Sequence, residues 1–126
     1  MRAVLDTSVL IAGGTAALEG DLAISAVSLA EIHFGVLVAR DDVERARRLR
    51  LLTGLAGAFD ALPVDDAVAA SYGMLAAAVA AAGRQPRVRS LDLLIAATAH
   101  AHGAWLYTRN AADLRGADQL VDIRTV

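Results

Sequence analysis

The segment Arg89–Asp113, RSLDLLIAATAHAHGAWLYTRNAAD, places tight limits on the fold. It reads as a helix, a turn, a strand and the start of another helix. Leu94, Ala97 and Ala101, with Leu91 and Ile95 on the other edge, form an apolar stripe at helical spacing. Ser90 is positioned to cap this helix, since a serine hydroxyl accepts from the free amides of a first turn. Gly103 ends it, where a residue tolerant of positive φ is wanted. Ala104–Thr108, AWLYT, is short, apolar and aromatic, as a buried strand is. Asn110 is expected to cap a further short helix that carries Asp113. One carboxylate, Asp92, thus falls in the first turn of a helix, and another, Asp113, just past a strand.

The rest of the chain repeats this alternation. Arg2–Leu5 is a short apolar run ending at Asp6, after which Thr7–Ala12 turns helical and Gly13-Gly14 stops it. Leu22–Ser25 reads as a second strand. Ser28 is expected to start the next helix, with Leu29, Ile32, Val36 and Leu37 on its apolar side. Asp41-Asp42 opens a basic helix, and Asp65 caps a long one with Val68, Tyr72, Leu75 and Val79 on one face. Phe59–Val64 contains a proline and is an edge strand or connector. Val121–Ile123 offers a last strand. Strands alternating with helices imply a mostly parallel sheet covered on both faces. The expected fold is α/β, a small three-layer α/β/α domain, and 126 residues suffice for one such domain.

Composition removes several kinds of chemistry. There are no cysteines, which excludes disulfides, zinc–thiolate sites and thiol catalysis and is compatible with a cytoplasmic location. There are no lysines either, which excludes a P-loop and Schiff-base chemistry. No apolar run is long enough to span a membrane, and Asp6 interrupts the apolar N-terminus, which reads as strand and helix rather than a signal peptide. The net charge of −2 means that a polyanion would be held by a local Arg cluster or a bound cation.

On this topology Asp6, Glu31, Asp92 and Asp113 meet at one edge of the sheet, where open α/β proteins build their sites. Each has a plain structural explanation. Ser28-x-x-Glu31 has the form of a capping box. Asp92 suits the positive end of a helix dipole. Asn110-x-x-Asp113 resembles another cap, and Asp6 can cap the helix at Thr7. Asp6, however, follows a buried strand, and a buried acid needs partners; the nearest expected ones are the other three acids. A hard divalent cation such as Mg²⁺ or Mn²⁺ resolves that conflict, and phosphodiester hydrolysis is the chemistry that uses such a site.

The residues carry a resemblance. D-T-S-V-L near the N-terminus, ISAVSLAEIHFG with Ser25 and Ser28 leading into Glu31, LPVDDAVAASYGMLAAAVAAAG and SLDLLIAATAHAHGAWLYTRNAADL resemble the PIN-domain ribonucleases, in particular the VapC toxins of VapBC toxin–antitoxin modules. The likeness covers nearly all of residues 1–126 and implies one PIN-like domain. It implies a Mg²⁺- or Mn²⁺-dependent endoribonuclease acting on tRNA or rRNA, a VapB-like antitoxin as partner, and a homodimer. Asp6 and Asp92 match the family's two principal metal-binding acids, and Glu31 matches the third. The T-x-[ND]-x-x-D pattern falls on Thr108, Asn110 and Asp113. Where relatives have Asp, this chain has Asn110, which leaves the fourth role to Asp113 or to a water-mediated contact. Thr7, Thr108 and Asn110 are supporting residues. A catalytically silent RNA- or protein-binding module on the same fold is the alternative.

Other candidates rank lower. His100 and His102 point about 200° apart on a helix and cannot chelate one ion together. His33 reads as a packed or surface residue. Arg45, Arg47, Arg48 and Arg50 read as a solvated helix face. Arg84, Arg87 and Arg89, in the loop entering the Asp92 helix, are better RNA-binding candidates, as is Arg109, which can hold a phosphate bidentately. Trp105 can stack a base but, mid-strand, is expected in the core. A receiver-like domain would want a lysine, and a HAD-type phosphatase a D-x-D motif; neither is present.

Overall fold

The computed structural model describes residues 1–126. Four short strands form one parallel sheet: β1 (Arg2–Leu5), β2 (Asp21–Ile24), β3 (Trp105–Thr108) and β4 (Ile123–Thr125), in the order β2-β1-β3-β4. Five helices connect or flank them: α1 (Thr7–Ala12), α2 (Ala26–Leu37), α3 (Asp42–Ala58), α4 (Asp66–Ala81) and α5 (Ser90–Ala101). The three-layer expectation holds, and every pairing in the sheet is parallel. The last strand starts two residues later than its sequence suggests.

Alternation along the two central strands builds two cores. Val4 and Leu106 point into a layer with Val68, Leu75 and Val79 of α4 and Leu93 and Ile95 of α5. Ala3, Leu5, Trp105 and Tyr107 point the other way, against Ile32 and Val36 of α2 and Leu52 and Leu55 of α3. A strand covered on both faces has no polar alternation, which is why AVL and WLYT are continuous apolar runs.

Helix α5 departs from its expected stripe. It buries Leu93, Ile95, Ala96, Ala97, Thr98 and Ala99, whereas Leu91 is about half exposed. The helix is wedged between α4 and the sheet, so alanines pack on more than one side and a single stripe underestimates the contact. Leu37, expected on the apolar side of α2, is likewise exposed. Trp105 is buried, as a core residue, with the Arg124 guanidinium 3.9 Å from its ring centroid.

The topology fixes where a site can form. From β1 the chain passes through α1 to β2 on one side, while β3 lies on the other, so strand order reverses between β1 and β3. At such a point the connections diverge and leave a crevice beyond the carboxyl ends of the strands.

Candidate metal centre and its relatives

Asp6 is the first residue after β1. Its backbone amide donates to the Tyr107 carbonyl (2.9 Å), which carries the β1–β3 pairing one residue further and holds Asp6 beside Thr108. The carboxylate is only 6% exposed. One oxygen, Oδ1, accepts from the Thr7 amide at 2.9 Å and so caps α1. The other, Oδ2, accepts from Ser8 Oγ at 2.9 Å and from Thr108 Oγ1 at 2.7 Å. Asp6 therefore has hydroxyl and amide partners of its own, contrary to the expectation that only other acids would surround it. The hydroxyls of the D-T-S tripeptide are the sequence signal for this, and Ser8 joins Thr7 as a residue that builds the site.

Glu31 does not form a capping box. Helix α2 begins at Ala26, with Ser25 as N-cap and its Oγ accepting from the Val27 amide at 3.0 Å. Ser25 is held extended by a parallel bridge to Leu62, so the helix starts three residues before the position that Ser28 would cap. Ser28 is instead a buried first-turn residue. The Thr7 hydroxyl lies 2.8 Å from Glu31 Oε1 and 2.9 Å from Ser28 Oγ. Thr7 thus links the end of β1 to Glu31.

Asp92 is the third residue of α5 and half-buried. Ser90 does not cap this helix: a 3₁₀ turn at Pro86–Arg89 runs straight into it, and Ser90 already has helical dihedrals. An N-cap needs a non-helical backbone, so no side-chain cap forms. Burial pushes the Asp92 carboxyl above its ordinary value, and the negative charges of Asp6, Glu31 and Asp113 push in the same direction, while Arg89 opposes them. The charges of the other three acids thus all reach Asp92 from the carboxyl side of the sheet.

Asp113 lies in a 3₁₀ turn, Ala111–Leu114, and its Oδ1 is 3.3 Å from Arg89 Nη2. Asn110 does not cap this turn by its side chain; its backbone amide donates to Thr108 Oγ1 at 3.0 Å. Thr108 is thereby both donor to Asp6 and acceptor from Asn110.

The donor chemistry suits a hard divalent cation. Carboxylates and hydroxyls line the crevice, and Asp92 has three negative neighbours against the one positive charge of Arg89. No three His, Cys, Asp or Glu side chains are grouped tightly enough to form a ready cage. Mg²⁺ needs none, because it commonly keeps several waters and takes one or two carboxylates.

The remaining candidates separate clearly. Arg84 donates to the carbonyls of Ala112 (2.9 Å) and Arg115 (3.4 Å), anchoring the turn that bears Asp113. Arg87 and Arg109 are exposed. On α3, Arg45 pairs with Asp42 and both Arg47 and Arg48 pair with Glu44, whose carboxyl these guanidinium hydrogen bonds lower to about 2. Three of the four arginines on that helix are thus tied to its own two acids. His100 meets Ser71 and His102 meets Arg2, so the two histidines share no ligand. His33 is exposed.

The PIN domain family model matches residues 3–118. Ribonuclease VapC5 of Mycobacterium tuberculosis is 39% identical, across 96% of this chain and 93% of its own length. Ribonuclease VapC8 of the same organism is 42% identical, across 76% and 88%. Among solved structures, that of VapBC-5 from M. tuberculosis, a member of the VapBC family of toxin–antitoxin systems, superposes with a TM-score of 0.81 at 36% identity, covering 99% of this chain and 97% of that one. With the sheet order, the reversal between β1 and β3 and the acids at its edge already described, the chain belongs to the PIN-domain family and, within it, to the VapC ribonucleases of VapBC toxin–antitoxin systems.

Proposed function

We propose that the protein is a Mg²⁺- or Mn²⁺-dependent endoribonuclease toxin that cuts tRNA or rRNA in the cytoplasm, inhibits translation, and is neutralised by a VapB-like antitoxin. The observation that carries this reading is that half-buried Asp92, in the first turn of α5, feels the negative charges of Asp6, Glu31 and Asp113 together. Asp6 and Asp92 are the metal-holding pair, and Glu31 and Asp113 supplement them or orient water. When bound, the cation supplies charge to a phosphate oxygen and lowers the pKa of a water nucleophile.

The chain's own residues do the positioning. Thr108 and Ser8 fix Oδ2 of Asp6, and the Thr7 amide fixes Oδ1. The Thr7 hydroxyl orients Glu31. Asn110 supports this arrangement through its backbone contact with Thr108. Arg84, Arg87, Arg89 and Arg109 are the RNA-binding candidates; all four belong to loops or turns leading into or out of the crevice. A guanidinium presents a planar fork that matches a phosphate.

The antitoxin reading is supported by an apolar groove that includes Glu31. Val27, Ala30, Phe34 and Leu91 line it with Glu31, and Phe34 is 66% exposed. An antitoxin segment lying there would bring a basic side chain to the carboxylates. A homodimer is part of the same proposal.

The test is cleavage by antitoxin-free protein. RNA should be cut with Mg²⁺ or Mn²⁺, leaving 5′-phosphate and 3′-hydroxyl ends, and not in excess EDTA. Mapping those ends in total RNA would identify the substrate. Undiminished cutting in EDTA, or 2′,3′-cyclic phosphate ends, refutes the mechanism. A second reading, a silent binding module, draws support from Asn110 and from the pairing of Asp113 with Arg89; RNA binding without cleavage in this assay would favour it.

A further inference from the structure

Arg89 stands apart from the other arginines at the crevice. Of the charges that act on Asp92, those of Asp6, Glu31 and Asp113 are negative and that of Arg89 is positive. Its guanidinium lies 3.3 Å from Asp113, and its side chain is 45% exposed. It ends the 3₁₀ turn that leads into α5, where it makes no side-chain cap. Beside it lies a cavity of about 240 Å³ floored by Val79 and Leu93 and rimmed by Arg84, Gln85 and Asp113. Arg84 already ties this loop to the turn carrying Asp113 through two backbone carbonyls. The loop thus has a tie to that turn independent of Arg89, and Arg89 itself lines the cavity.

We infer that Arg89 is the internal counter-cation of the acidic crevice, holding Asp113 by charge in the RNA-free protein and competing with a divalent cation for that carboxylate. This rests on the metal-site reading above. A guanidinium beside Asp113 neutralises negative charge that a divalent cation would otherwise draw on, so each lowers the other's affinity by the same factor. The arrangement accounts for the pairing of Asp113 with a guanidinium. A purely structural link would instead support the position of Asp113, and its removal would weaken or leave unchanged the binding of a metal.

The experiment is Mn²⁺ titration of the full chain, followed by electron paramagnetic resonance of the free ion, without RNA. Arg89→Ala and Arg89→Gln should each bind Mn²⁺ roughly two- to fivefold more tightly, the ratio that an exposed ion pair in the upper half of its usual range represents. Arg89→Lys, which keeps the charge, should stay near wild type. Asp92→Asn is titrated alongside and should lose most binding. If the two neutral variants bind Mn²⁺ no more tightly than wild type while Asp92→Asn loses it, the counter-cation inference fails and the metal site stands. If Asp92→Asn binds as wild type does, both fail.

Discussion

The Thr108 hydroxyl donates to Asp6 Oδ2 at 2.7 Å, across two neighbouring parallel strands and 102 residues of chain. It also accepts from the Asn110 amide at 3.0 Å. Thr108 is fully buried, so this contact is shielded from water. Thr108→Val keeps the shape but leaves Asp6 short of a donor and Asn110 short of an acceptor. It should cost about 1–3 kcal/mol of stability and lower cleavage by about 10–100-fold, the usual cost of losing a group that orients a metal ligand. Thr108→Ser should recover most of both. Denaturant unfolding and single-turnover cleavage of the two variants check this.

Asp92 should govern how stability depends on pH. Its carboxyl in the folded protein lies above the ordinary value of 3.8, so the native state binds that proton more tightly than the unfolded chain does. Its contribution then falls as pH rises from the ordinary value through the raised one, and the penalty is complete above it. In EDTA, Asp92→Asn should stabilise the protein near neutral pH by a few tenths to about 1 kcal/mol, discounted because the group is half exposed. The difference should shrink as pH drops below the ordinary carboxylate range. A gain of the same size at every pH would show that repulsion at Asp92 is not its source.

Mg²⁺ should reverse that ranking. Wild type should gain stability by mass action, about 2.7 kcal/mol at a hundredfold excess over the dissociation constant. Asp6→Asn and Asp92→Asn should lose most of the gain and their cleavage together. Thermal unfolding with EDTA and with Mg²⁺ measures it. Asn caps a helix about as well as Asp, so variants that still cut RNA at the wild-type rate would leave capping as the whole role of these residues.

The fourth acid should matter less than the second. Asp113 is shared with Arg89, and Asn110 places a neutral side chain at the neighbouring position of the motif. Asp113→Asn should therefore reduce cleavage less than Asp92→Asn, by roughly tenfold or more between them, a difference of about 1.4 kcal/mol in the barrier. Equal losses in one assay contradict the ranking.

The arginines should divide by whether they are already paired. Arg47 is tied to Glu44 on α3, whereas Arg109 is exposed at the end of β3 beside Ser8. Arg109→Ala should weaken RNA binding and lower its salt slope by about one. Arg47→Ala should change affinity less than about twofold, given the small worth of an exposed charge already paired with Glu44. Filter binding across a salt series separates the two.

The sequence by itself determined the alternation of strands and helices, the two-sided burial of AVL and WLYT, the helix opening at Asp41-Asp42 and the cap at Asp65. Period, apolarity and capping chemistry are local properties. Three helix or turn starts were misplaced for a common reason. Ser28, Ser90 and Asn110 all have good capping side chains, but a cap also requires a particular backbone, and that is set elsewhere: by the Ser25–Leu62 bridge, by the 3₁₀ turn at Pro86–Arg89 and by the contact with Thr108. The partners of Asp6 were legible only in part, since Thr7 and Ser8 are adjacent while Thr108 arrives through the register of β1 with β3. The pairing of Arg89 with Asp113 had no local signal at all. Charge acts through space, and only the packing of α5 beside the turn after β3 decides which charges meet.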